Sequence, residues 1–176
     1  MHARGIAHLD LKPSNILISP NGRPLIIDFN LSAPVDQCVR SLGGTIPYMA
    51  PESLHSLELQ RVDPRLDIFS LGVIFFELLV GKLPFGLPTP NTSSLEQVQQ
   101  MLRLQNESPD PVRRLGIQLP SAWKYVLRHT LALDQQQRFA TAAELQVALL
   151  ELTRNPPQSW LLGCRRWFVE RLTGKN

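Results

Sequence analysis

His8-Leu9-Asp10-Leu11-Lys12-Pro13-Ser14-Asn15 places a carboxylate, an ammonium and a carboxamide at spacings that suit phosphoryl transfer. Asp10 can accept the proton of an attacking hydroxyl. Lys12 can neutralise charge on a moving phosphate, and the carbonyl oxygen of Asn15 can face a metal ion. Working outward, Ile16-Leu17-Ile18-Ser19 and Pro24-Leu25-Ile26-Ile27 flank Pro20-Asn21-Gly22. Asn-Gly tolerates the positive φ of a tight turn, so this stretch reads as a short β-hairpin. The hairpin would hold Asn15 at its entry and Asp28, of Asp28-Phe29-Asn30, at its exit on the same side. Ala50-Pro51-Glu52 comes next.

Farther along, residues 31–49 show no helical period and contain Gly43-Gly44, which predicts a mobile loop. Asp63-Pro64 to Val80 is apolar nearly all round and is closed by Gly81, so it predicts a buried central helix with Phe75-Phe76 in the core. Residues 83–94 read as a loop. Helices are expected near 94–104, 121–132 and 141–153, the last with a capping box of Thr141 and Glu144. The outcome is a mostly helical lobe with one small hairpin and no internal repeat.

With 176 residues, 43% of them apolar, the chain can bury one core. No run of 18 uncharged apolar residues predicts a membrane span, and the start is too polar for a signal peptide. Cys38 and Cys164 fit free thiols in a reducing compartment, so a cytoplasmic location is expected. The net charge of +3 is uneven. Residues 1–153 carry 13 Lys and Arg against 14 Asp and Glu; residues 154–176 carry five against one. The basicity belongs to the tail, so no nucleic-acid footprint is read over the domain.

Asp10-x-Lys12-x-x-Asn15, Asp28-Phe29 and Ala50-Pro51-Glu52, in that order, resemble the catalytic loop, the metal-binding Asp-Phe-Gly and the Ala-Pro-Glu of eukaryotic-type (Hanks-type) serine/threonine protein kinases. The resemblance covers residues 1–153, and the short connections are similar to bacterial members. It implies a mainly α, protein-kinase-like C-terminal lobe, a helical bundle with a small β-hairpin at the catalytic edge. It implies ATP and Mg²⁺ as cofactors and a protein substrate with Ser or Thr acceptors. Asp10 would orient the acceptor hydroxyl, and Asn15 and Asp28 would hold Mg²⁺. Lys12 and Thr45 resemble the pair that marks the serine/threonine class. Leu17 resembles the apolar floor beneath adenine, and His8 the stacked histidine behind the catalytic loop. Asp67 resembles the buried acid that anchors that loop's backbone, and Glu52 and Arg138 resemble the family's ion pair.

Two positions depart from the pattern. Leu9 stands where many kinases carry the arginine that receives a loop phosphate, so phosphorylation of Ser32 or Ser41 is not expected to be the on-switch. Asn30 replaces the glycine of Asp-Phe-Gly, and asparagine tolerates the positive φ expected there. The family's glycine-rich loop, phosphate-binding lysine and its glutamate partner precede the catalytic loop, whereas only Met1 to Ala7 do so here. The expectation is therefore a C-terminal lobe without its N-terminal lobe, incomplete and inactive as an isolated chain. The alternative is a non-catalytic kinase-like binding module, and a third option is assembly with a separate N-lobe-like chain or a fused domain. His2, His55 and His129 read as surface or helix residues. The tail 154–176, set off by Pro156-Pro157, reads as a linker or a segment folded back on the lobe. Its gathering of Trp160, Cys164, Trp167 and Phe168 leaves membrane contact or a docking helix open.

Overall fold

The computed structural model describes residues 1–39, 43–55, 60–114 and 119–154. The tail beyond Arg154 and Ser41 lie outside the described residues, and with them the readings made for those positions. Short strands come first: β1 (Ile6–Ala7), β2 (Ile16–Ile18), β3 (Pro24–Ile26), β4 (Ala33–Pro34) and β5 (Cys38–Val39). After α1 (Pro51–Leu54) and β6 (Gln60–Arg61) the chain is helical: α2 (Arg65–Val80), α3 (Ser94–Glu107), α4 (Pro111–Arg114), α5 (Ser121–Leu131) and α6 (Ala142–Arg154).

The predicted hairpin is β2–β3, antiparallel, with Leu17 opposite Leu25. Gly22 takes φ 78° in its turn, where a Cβ would be strained. The loop expected over 31–49 is in part ordered by pairing. β4 pairs with β1 and β5 with β6, two residues each, and Ile46–Tyr48 forms a 3-10 turn.

The core is built around α2. Asp63 accepts the N–H of Arg65 at its start, and Gly81 ends it at φ 74° with its N–H donated to Glu77. Leu66, Phe69, Val73 and Phe76 pack with Met49, Leu54, Phe85, Met101, Leu127 and Leu131. Ile68 faces the other way, into Trp123, Val126, Phe139, Leu145 and Leu152. Each such side chain contributes roughly 1.5–3 kcal/mol of burial. Gly72 permits the close crossing of α2 and α5, because a Cβ there would lie 2.5 Å from Thr130 Oγ1.

The helix caps differ from expectation. A full capping box opens α3, with Ser93 Oγ accepting from Glu96 N–H and Glu96 Oε2 accepting from Ser93 N–H. That hydrogen-bonding holds the Glu96 carboxyl below its usual range. At α6 the box is only half made. Thr141 Oγ1 accepts from Glu144 N–H, but Glu144 reaches back to the N–H of Ala140, one residue short of the cap.

Candidate active site

Three elements converge on Asp10. The segment after β1 carries it, the turn before β2 carries Asn15, and the 3-10 turn before α1 brings Thr45. Thr45 Oγ1 donates to Asp10 Oδ1 at 2.8 Å and accepts from Lys12 Nζ at 2.8 Å. Lys12 Nζ is also 2.8 Å from Asp10 Oδ2. Asn15 Nδ2 donates to the Asp10 backbone carbonyl at 2.9 Å and to Oδ2 at 3.2 Å. Burial pushes the Asp10 carboxyl up, but the hydrogen bonds from Lys12 and Thr45 and the Lys12 charge outweigh it, so the carboxyl lies below its usual range. At neutral pH the group is a carboxylate that accepts hydrogen bonds.

The backbone beneath Asp10 is strained and held. Leu9 sits at φ 69°, a left-handed conformation that costs a leucine about 1–3 kcal/mol. Asp67 of α2 compensates: Oδ2 accepts from His8 N–H at 2.7 Å and Oδ1 from Leu9 N–H at 2.8 Å. Gly44 closes the other side, since a Cβ there would lie 2.9 Å from the Leu9 carbonyl oxygen. His8 is buried and its tautomer follows from its partners. Nε2–H donates to the Ile27 carbonyl at 3.0 Å, leaving Nδ1 to accept from Asp10 N–H at 3.3 Å. Its ring is 5.1 Å from that of Phe29.

His2 corrects an expectation. Of the two readings, surface or helix, the helical one holds, in the 3-10 turn His2–Arg4, but the side chain is turned inward and donates through Nε2 to Asp67 Oδ2 at 2.7 Å. The single Asp67 carboxylate therefore receives three hydrogen bonds. The positive φ expected at Asn30 is a second correction: Asp28 carries it instead, at 62°, and Asn30 does not. Losing the glycine of Asp-Phe-Gly thus costs this backbone nothing.

The hairpin brings Asn15 and Asp28 to the same end, because Ile27 N–H donates to the Asn15 carbonyl beyond the last strand pair. Asn15 spends its amide nitrogen on Asp10, which leaves the side-chain carbonyl oxygen as the atom to meet a cation. With the Asp28 carboxylate this makes a pair of hard oxygen donors. Among the described residues there is no cluster of three or more His, Cys, Asp or Glu. The set fits Mg²⁺, which takes one or two protein oxygens and draws the rest of its shell from phosphate and water. Leu17 is 50% exposed and Phe29 52%, and Leu25, Ile26 and Leu31 are exposed as well.

Behind the site, Arg138 donates to Glu52 through both terminal nitrogens at 2.6 and 2.8 Å. It also donates to the carbonyls of Ala132, Leu133 and Arg65 and lies over the Phe69 ring. The pair is lopsided: the Arg138 side chain is 0% exposed and that of Glu52 29%. A cavity of about 370 Å³ bounded by Val112, Leu127, Leu131 and Asp134 reaches Ala132 and Leu133 but not Arg138, Glu52 or Asp10.

The protein kinase domain model matches residues 1–149. The chain belongs to the protein kinase family. Relatives place it with bacterial serine/threonine kinases. It is 30% identical over 155 residues to the probable serine/threonine-protein kinase PknB of Bifidobacterium longum, covering 85% of this chain and 21% of that one. It is 30% identical over 157 residues to PknB of Mycolicibacterium smegmatis, covering 86% and 24%. It is 36% identical over 167 residues to serine/threonine-protein kinase Pkn1 of Myxococcus xanthus, covering 87% and 22%. The kinase chain thus spans between a fifth and a quarter of the length of these relatives. Such kinases use ATP and Mg²⁺, which agrees with the oxygen donors described above.

Proposed function

We propose that residues 1–153 form the acceptor-side, C-terminal lobe of a serine/threonine protein kinase, working with a nucleotide-clamping lobe or partner. The observation that carries this reading is the Asp10 carboxylate, held between Thr45, Lys12 and Asn15. Mg²⁺-bound ATP supplies the phosphoryl group and neutralises charge on its oxygens. The chain's own groups orient and compensate. Asp10, ionised and fixed, would accept a hydrogen bond from the acceptor Ser or Thr hydroxyl and take its proton as the new oxygen–phosphorus bond forms. As it forms, the bond from the γ-phosphorus to the bridging oxygen breaks, ADP leaving with that oxygen. Its low pKa makes it a better orienting group than a base, which suits a transition state that needs little prior deprotonation. Lys12 sits beside it, where it can offset phosphate charge. Asn15 and Asp28 offer oxygens to Mg²⁺, and Leu17 offers an apolar surface to adenine.

The test is transfer of label from γ-labelled ATP to Ser, Thr and Tyr peptides, with wild type and Asp10→Ala. Ser and Thr peptides should be labelled and the Tyr peptide spared, and Asp10→Ala should lower the rate about 10²–10⁴-fold. A wild-type protein that binds peptides but transfers no label, whatever clamp is supplied, would instead be a non-catalytic binding module.

A further inference from the structure

The segment from Thr45 to Ala50 links the hydroxyl that touches Asp10 to the start of α1, and most of its carbonyls are held by hydrogen bonds. Thr45 and Ile46 accept from Tyr48 and Met49 N–H within the 3-10 turn, and Ala50 accepts from Ser53 N–H. Tyr48 is held from α2, its carbonyl accepting from Ser70 Oγ at 2.8 Å. The Met49 carbonyl is held from α3, accepting from Gln105 Nε2 at 3.0 Å across 56 residues of chain.

Gln105 is an odd residue for its place. It falls one turn after Met101 and two after Val98, on the face of α3 that packs into the core, and it is 1% exposed. An apolar side chain suits that position, and burying an amide there is costly unless both its ends are paired. Only one end is paired: Gln105 Oε1 is buried with no partner. Packing does not account for the glutamine; the bond to Met49 does.

We propose that Gln105 is a positioning residue for the phosphoryl acceptor. By holding the Met49 carbonyl it fixes the Thr45–Met49 segment at a set height above α3. That sets where Thr45 meets Asp10 and where an acceptor chain can lie along the segment. The inference rests on the reading of Asp10 and Thr45 given above. It separates the contact from stability: Gln105→Met keeps the volume and removes the unpartnered Oε1, while orphaning the Met49 carbonyl.

The experiment pairs kinetics with amide hydrogen exchange on the protein as produced by its own gene, wild type against Gln105→Met. The peptide KM should rise roughly tenfold, about the effect of one buried hydrogen bond. The KM for ATP should stay unchanged, and exchange should quicken at Thr45–Ala50 while α2 and α5 keep their protection. An unchanged peptide KM overturns the proposal. So does exchange that quickens through α2 and α5, which would mark Gln105 as a general support of the fold. If the wild type transfers no phosphoryl group, the kinase reading fails and the acceptor role fails with it. An active wild type with an indifferent Gln105→Met variant condemns the Gln105 inference alone.

Discussion

Asp10 sits between opposing influences, and the balance fixes its response to pH. Burial favours the neutral acid, while Lys12 and Thr45 favour the carboxylate and prevail. The folded-state value is therefore depressed. The stabilisation these contacts supply is complete above the ordinary carboxyl value of 3.8 and is lost as pH falls through the lower, folded one. Lys12→Met removes the largest favourable influence and leaves the burial, so the Asp10 midpoint should rise; carboxyl ¹³C NMR titration reads it directly, and a midpoint that stays put refutes the balance. Arg138 offers a second test. Glu52→Ala leaves a fully buried guanidinium without its carboxylate and should cost about 3–5 kcal/mol in urea unfolding. Replacing both partners, Glu52→Met with Arg138→Met, should cost less than the single change. The residues around Asp10 were legible because their spacing is local, Asp10 to Asn15. His2 was not, since its partner Asp67 lies 65 residues away and nothing in Met1-His2-Ala3 announces it.

At the scale of elements, the crossing of α2 and α5 is the tightest joint in the fold. Gly72→Ala would put a methyl 2.5 Å from Thr130 Oγ1 and 2.6 Å from Thr130 Cβ. We expect a loss of about 1–3 kcal/mol from overpacking, measured by thermal or urea unfolding. Thr130→Ala should not rescue it, because the clashing Cβ remains; only a glycine at 130 removes both atoms. The α2 helix was readable from its apolar residues, present nearly all round, and its closing Gly81. The start of α3 was read at its true place, but its capping box was not, because Ser93 and Glu96 sit in a stretch of Ser, Thr and Gln with several candidate caps. The pairs β1–β4 and β5–β6 leave no periodicity, being two residues long and joining segments more than 20 residues apart. The positive φ was assigned to Asn30 by analogy with glycine, but the turn is made at Asp28.

Taken as a whole, the described molecule leaves a cluster of large apolar side chains uncovered in and just after the hairpin. Leu17, Leu25, Ile26, Phe29 and Leu31 all lie exposed there. A cluster of this kind favours contact with another surface. Purified by itself, the chain should self-associate in sedimentation, and Leu25→Lys should reduce that association while leaving the unfolding midpoint within about 0.5 kcal/mol. An equally associating variant would move the contact elsewhere. Asp67 is the contrary case, fully buried in α2, and it holds the backbone of His8 and Leu9 on which the chemistry would stand. The loop does not own its shape; it borrows it from the innermost helix. Warming such a protein should give no interval in which the core is intact and the loop already slack. Inactivation and melting would fall on one curve, so a simple activity assay would serve as a thermometer of the core.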